Sequence, residues 1–207
     1  MEKNFVSNKD ESVVMFKSPV LDKMSRIHWS IPLYLFVPVV LFFLYRSIFM
    51  LHLGALTISL FFIAGVFAWT LMEYVLHRWF FHTPLPGELG RRIHFIIHGV
   101  HHDYPNDTHR LVMVPSLSIP LAFIVYFIFW AVLGNVYVAP LFAGIVAGYL
   151  VYDMTHYAIH HYGFKSKYWL NLKVNHMKHH YQQPDRGYGV SSTLWDIILN
   201  SKFKERK

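Results

Sequence analysis

The chain has 207 residues, of which 54% are hydrophobic, 18% aromatic and only 15% charged; a soluble domain carries about 25% charged residues, so the deficit points to lipid. There is no cysteine, which excludes disulfides, thiolate zinc sites, iron–sulfur clusters and thiolate-ligated haem, and leaves nitrogen and oxygen as the only ligand atoms for a metal. A formal net charge of +7 fits the basic loops of a membrane protein, and nucleic acid is not expected as a partner.

By length the chain is one domain. Residues 1–30 are mixed and polar, with Lys3, Lys9, Lys17, Lys23 and Arg26. They read as a cytosolic N-terminal segment, and Ser18-Pro19 is expected to break any helix there. The first apolar run begins only near Ile31, too far from the start for a cleaved signal peptide. From there on, residues 31–207 read as the membrane domain. Between Ile27 and Met72 the only charged residue is Arg46. This stretch holds two spans of about 20 residues each, predicted at 31–50 and 54–74 with the turn at His52 and Gly54. No charged residue occurs from Leu111 to Tyr152. As one helix this stretch would be about twice as long as a hydrocarbon core of roughly 30 Å. It must fold back, and Gly134-Asn135 is the natural turn, giving spans at 117–133 and 137–157. The expected fold is all-α and membrane-integral, with four transmembrane helices arranged as two hairpins.

Lysine and arginine set the orientation. Five lie before the first span, four (Arg78, Arg91, Arg92 and Arg110) lie between the second and third, and nine follow the fourth. The N-terminus, the central segment and the C-terminal tail are therefore expected in the cytoplasm.

The histidines carry the chemistry. There are 15, and a random chain of that composition would hold about 0.08 copies of His-x-x-His-His. This chain holds two, at His98–His102 and His176–His180, preceded by His77 with His82 and by His156 with His160. His82 to His98 and His160 to His176 are both sixteen positions. The repeat predicts two matching half-sites, one on each hairpin, and together a dimetal centre of ten imidazoles. On a helix, i, i+3 and i+4 share one face, so His98, His101 and His102 should converge, as should His176, His179 and His180. His156 and His160 are an i, i+4 pair. His77 and His82 are i, i+5 and would diverge on a regular helix, so a bend is expected between them, near Thr83-Pro84. All ten fall at or just outside the cytoplasmic surface. Imidazole suits iron, zinc, copper and nickel. His28, His52 and His109 read as ordinary surface or hydrogen-bonded imidazoles.

Glu73 lies one turn before His77, and Asp153 three residues before His156. Intramembrane carboxylates are costly and have partners. Both are expected either to orient imidazole N–H groups or to pair with a nearby Arg or Lys. Asp103 and Asp107 read as solvated loop residues. No His-Glu-x-x-His, Gly-x-Ser-x-Gly or phosphate-binding loop is present.

The run Glu73-Tyr74-Val75-Leu76-His77-Arg78-Trp79-Phe80-Phe81-His82, with His94 to His102 and Arg110-Leu111-Val112-Met113, resembles the fatty acid 2-hydroxylases of the fatty acid hydroxylase and sterol desaturase superfamily. Tyr152 to Tyr157 with His160, His176 to His180, and the tail Gly187-Tyr188-Gly189-Val190-Ser191-Ser192-Thr193-Leu194-Trp195-Asp196 fit the same pattern. The resemblance covers about residues 65–200. It implies a four-span protein with a cytosolic helical cap holding a dimetal site, with two iron ions in the active enzyme and zinc able to occupy the site in isolated protein. The ligands it implies are His77, His82, His98, His101, His102, His156, His160, His176, His179 and His180. No ligand role is carried onto His161, and Asn175 stands where some members have a further histidine. Eukaryotic members often carry a fused cytochrome b5 domain, for which the first thirty residues leave no room.

Three functions are compatible. The leading one is O2-dependent hydroxylation of a lipid acyl chain at C2 of a fatty acid or fatty acyl amide. A sterol or carotenoid hydroxylase or desaturase would use the same ligands. A non-enzymatic metal-binding or transport protein is the third, although a transporter would place ligands near the bilayer midplane. An oxygenase needs two electrons from outside, and neither haem nor flavin is expected within the chain. The expected donor is a separate cytochrome b5-like or ferredoxin-type protein. Lys165, Lys167, Lys173, Lys178 and Arg186 offer it a basic surface, or else anchor the tail to anionic lipid. A bacterial inner membrane or the endoplasmic reticulum is the expected location.

Overall fold

The computed structural model describes residues 5–204, in which every regular element is helical. Lys3, Arg206 and Lys207 of the charge pattern lie outside the described residues. Three helices are long and apolar enough to cross a membrane: Ile31–Met50, Ala55–Phe81 and Pro115–His161. The first comprises α2 (Ile31–Tyr45) and a π turn (Arg46–Met50), the second α3 (Ala55–Val75) and a π turn (Leu76–Phe81), and the third is α6 (Pro115–His161). Their outward residues are apolar and exposed, Leu56, Ile63, Phe123 and Val132 among them, as a lipid-facing surface requires.

α6 is not one rod. Gly134 sits at φ 68° and ψ −176°, a left-handed conformation that glycine adopts without steric cost. Tyr126 and Phe142 are sixteen positions apart, which in a straight helix would separate them by about 24 Å. Their ring centroids are 5.2 Å apart, so the two halves of α6 lie side by side. The fold-back predicted at Gly134-Asn135 is thus present. Arg46 caps it by donating to Asn135 Oδ1 at 2.6 Å.

The second half of α6 is the centre of the bundle, with Val138, Ala139, Phe142, Ile145 and Val146 buried. It meets α3 backbone to backbone. A Cβ on Gly144 would lie 2.0 Å from the Phe62 carbonyl oxygen, one on Gly65 2.1 Å from that of Leu141, and one on Gly148 2.7 Å from Trp69 Cβ. Lipid-exposed helices gain little from apolar burial against one another, so close contact across small residues supplies the attraction. Phe36 against Tyr149 and Phe43 against Phe142, with ring centroids at 5.2 and 5.1 Å, bring α2 to the same helix.

The remaining helices lie at the end of the bundle where α3 and α6 terminate. They are α1 (Pro19–Met24), α4 (Gly87–His94), α5 (Val100–Asp103), α7 (Lys167–Tyr181) and α8 (Leu194–Ile198), with a π turn (Phe95–Gly99) joining α4 to α5. The N-terminal segment departs from expectation. Ser18 caps α1 through the Leu21 N–H at 3.5 Å, with Pro19 in the first turn. Ser-Pro therefore starts a helix here, because proline at the first helical position forfeits only a donor that would be unpaired anyway. Segment 5–27 forms a strap over loop 103–112. Val6 N–H donates to the Asp103 carbonyl at 2.9 Å, Ile27 N–H to that of His109 at 2.9 Å, and Arg110 reaches Asp22 at 3.3 Å and Asp107 at 3.4 Å. Asp107 is consequently not a solvated loop residue. It is 2% exposed and accepts from Ser12 Oγ at 2.5 Å.

Candidate metal centre

The ten cluster histidines converge in two groups of five. His77, His82, His98, His102 and His179 form one, and His101, His156, His160, His176 and His180 the other, with the potential ligand atoms of each group all within 4.8 Å of one another. The groups abut, His102 stacking on His180 with centroids 4.2 Å apart. His28, His52 and His109 are exposed and belong to neither group, and His94 and His161 stay outside them too.

This partition corrects the half-site expectation. Each His-x-x-His-His motif keeps its first and third histidine in one group and sends its middle histidine to the other. The reason is angular. At about 100° per residue, i and i+4 lie about 40° apart, whereas i+3 lies about 60° from i on the opposite side. Two motif helices facing each other therefore exchange their i+3 residues. His101 crosses to the group of His156 and His160, and His179 to that of His77 and His82.

The expected bend between His77 and His82 is also absent. Leu76–Phe81 is a π turn, whose i→i+5 pairing brings residues five apart onto one face, a local geometry found often at functional sites. His82 Nε2 then lies 3.2 Å from His77 Nε2. His98 sits in another such turn, Phe95–Gly99.

The donor set fits metal ions. His77 and His98 Nε2 are 3.1 Å apart, and His179 and His82 Nε2 3.0 Å. In the second group, His156 Nε2 is 3.0 Å from both His101 and His176 Nε2, and His176 Nε2 is 2.9 Å from His160 and 3.0 Å from His180 Nε2. Two nitrogens at right angles about an ion at 2.0–2.1 Å would be about 3.0 Å apart. Without a cation, such packed lone pairs repel. Burial also disfavours protonation. It pushes His102 and His179 down to about 3, helped by neighbouring imidazoles, and drives His98, His101, His176 and His180 well below the ordinary range. A neutral imidazole is the form that ligates.

The second layer differs from expectation. Neither Glu73 nor Asp153 bonds an imidazole or pairs with a cation. Glu73 accepts the Val190 N–H at 2.7 Å, the Ser191 N–H at 2.8 Å and the Ser191 hydroxyl. Asp153 accepts the Met113 N–H at 3.2 Å and the Tyr149 hydroxyl at 3.1 Å. Each lies within a long helix beside a loop whose N–H groups need acceptors, and those backbone donors satisfy the carboxylates first. Backbone carbonyls take the imidazole protons instead. His77 Nδ1 is 2.5 Å from the Tyr188 oxygen, and His179 Nδ1 is 2.7 Å from that of Arg186. Sequence reasoning missed these acceptors because any residue supplies a carbonyl.

A cavity of about 370 Å³ opens beside the histidines. His98, His101 and His156 line it with Phe81, Ile97, Leu111, Met113 and Leu117. The strap supplies another wall through Met15, Phe16, Leu21 and Met24. The cavity is largely apolar and touches both groups.

The sequence profile of the fatty acid hydroxylase family matches residues 62–201. A dihydroceramide fatty acyl 2-hydroxylase of Arabidopsis thaliana is 37% identical over 175 residues, covering 84% of this chain and 73% of that protein. A human fatty acid 2-hydroxylase is 33% identical, with 93% of this chain matching 57% of its length. The solved structure of full-length scs7p, in which only the hydroxylase domain is visible, superposes with a TM-score of 0.84 at 33% identity, over 89% of this chain and 70% of that one.

Proposed function

This chain belongs to the fatty acid hydroxylase family, and from that premise we propose that it hydroxylates C2 of a fatty acyl chain, free or in amide linkage as in a ceramide. The observation that carries the proposal is the pair of five-imidazole groups beside one apolar cavity. The acyl substrate, dioxygen, two electrons and two protons become the 2-hydroxy acyl product and water. One C–H bond is replaced by C–OH, and the second oxygen atom leaves in the water.

The ten grouped histidines hold two metal ions, iron in the working enzyme, with zinc able to replace it in isolated protein. Bound metal supplies the oxidising chemistry that no side chain can. The chain's own residues position and shield. Phe81, Ile97, Leu111 and Met113 exclude water and hold the acyl chain, and alignment of C2 with the histidine groups selects the carbon. Met15, Phe16, Leu21 and Met24 of the strap close the cavity from the N-terminal side and limit which chains fit.

With each half of α6 taken as one crossing the chain spans the membrane four times, a reading supported by the fold-back at Gly134, and the bias of lysine and arginine supports a cytoplasmic helical cap. Electrons arrive from a separate carrier of cytochrome b5-like or ferredoxin type, docked on Lys165, Lys167, Lys178 and their neighbours. Expression in a host devoid of 2-hydroxylated lipids tests the proposal. The expected result is 2-hydroxy acyl chains, abolished by His101→Ala. Hydroxylation at another carbon, or a desaturated product, would overturn the assignment to C2.

A further inference from the structure

We infer that Asp196 and Glu73 are positioning residues for only one of the two metals, acting through the backbone of loop 186–191; the inference rests on reading the two histidine groups as metal sites. Asp196 is 2% exposed and Glu73 3%. Asp196 Oδ1 accepts the Tyr188 N–H at 2.9 Å and the Ser201 hydroxyl at 2.7 Å, and its Oδ2 accepts the Gly189 N–H at 2.9 Å. Glu73 accepts the next two N–H groups, those of Val190 and Ser191. Four successive backbone donors are thus fixed by two buried carboxylates. All four carboxyl oxygens are engaged, Glu73 Oε2 by the Ser191 hydroxyl, so buried donors and acceptors are matched and the loop is held firmly. Glycine is required in it. Gly187 lies at φ +67°, and a Cβ on Gly189 would meet the Ser192 carbonyl oxygen at 1.9 Å.

The same loop presents the carbonyls of Tyr188 and Arg186 to Nδ1 of His77 and His179. Each carbonyl fixes the Nδ1–H tautomer and leaves the Nε2 lone pair for the ion. His77 and His179 belong to the same group, although they come from different histidine motifs. The other group draws nothing from this loop, and its one carbonyl brace is that of Leu111 on His156. The buried Nδ1 atoms of His101, His160, His176 and His180 have no hydrogen-bond partner in the protein. Two sites with equal ligand counts are therefore supported differently, and loosening the loop acts on one of them.

Metal retention in chelator tests this, with no substrate required. His160→Ala/His180→Ala empties the group without contact to loop 186–191, and His98→Ala/His102→Ala empties the group that the loop braces. Each background should retain one ion. Asp196→Asn, which keeps the side-chain shape, should weaken retention about 10- to 100-fold in the first background and leave the second unchanged. Glu73→Gln acts on the same loop from α3 and should repeat the pattern if Asp196→Asn does not accumulate. Equal loosening in both backgrounds would mean that the carboxylates only stabilise the fold, and would overturn the inference. No loosening in either would overturn it too. A wild-type chain that binds fewer than two ions would instead sink the metal-site reading itself.

Discussion

His179 shows what the crossed arrangement means for a single residue. Sequence position places it with His176 and His180, yet its ring lies with His77, His82, His98 and His102. His179→Ala and His77→Ala should each lower bound metal from two ions towards one, and the double substitution should go no lower than either alone. His176→Ala combined with His77→Ala should deplete both sites. The opposite pattern, with His179 additive to His77 and redundant with His176, would restore the one-motif-one-metal arrangement. All ten grouped histidines were legible in the sequence, because a repeated His-x-x-His-His at matched spacing is so improbable by chance. Their partition was not legible. It depends on which face of α7 looks at which neighbour, and a 60° offset on a helix leaves no mark on spacing. Glu73 and Asp153 illustrate the same limit. Their burial was readable from their places in apolar helices, but their partners are backbone N–H groups brought in from residues 190–191 and 113.

Among the elements, the crossing of α3 and α6 is the tightest joint. Gly144→Val adds a branched side chain where even a Cβ would lie 2.0 Å from the Phe62 carbonyl oxygen. Overpacking costs about 1–3 kcal/mol and more where backbone must move, so its midpoint of unfolding in detergent should fall clearly. Gly163→Ala, where nothing lies within 4 Å of the new Cβ, is the control and should stay near wild type. Similar midpoints for the two variants would contradict the backbone-to-backbone crossing. The fold-back at Gly134 was readable because an uncharged stretch of that length cannot cross a bilayer once as a helix. The π turn under His77 was not, since an i, i+5 pair fits either a bend or a π turn and nothing in Leu76–Phe81 decides between them. The strap was hidden for a different reason. Segment 5–27 looks polar because its contacts with loop 103–112 are hydrogen bonds and ion pairs, so hydropathy records neither the loop nor the cavity wall it forms. Met24→Trp should fill part of that cavity and shift preference towards shorter acyl chains while bound metal stays at the wild-type level. Unchanged chain-length preference would remove the strap from substrate selection.

At the scale of the whole molecule, every grouped histidine lies at one end of three apolar helices, one of them folded back on itself, beside a cavity walled largely by apolar side chains. That arrangement suits a substrate that stays in the bilayer while its reacting carbon is presented to a polar site at the membrane edge. Cysteines at positions 88 and 135 of this cysteine-free chain should react with an impermeant thiol reagent from opposite sides of the membrane. Reaction from the same side would contradict four crossings. Electron delivery by a separate carrier over a basic surface should slow as salt rises, because charges separated by more than about 10 Å are largely screened at 0.1 M. The most direct test of the account is the fate of dioxygen. Purified, iron-loaded protein is supplied with a long-chain fatty acyl substrate, a reduced carrier and isotopically heavy O2, and the product is examined by mass spectrometry. The account predicts a 2-hydroxy acyl product carrying one heavy oxygen atom at C2, formed only when the carrier is present and lost in His101→Ala. A hydroxyl derived from water, a product oxidised elsewhere along the chain, or equal turnover by His101→Ala would contradict it.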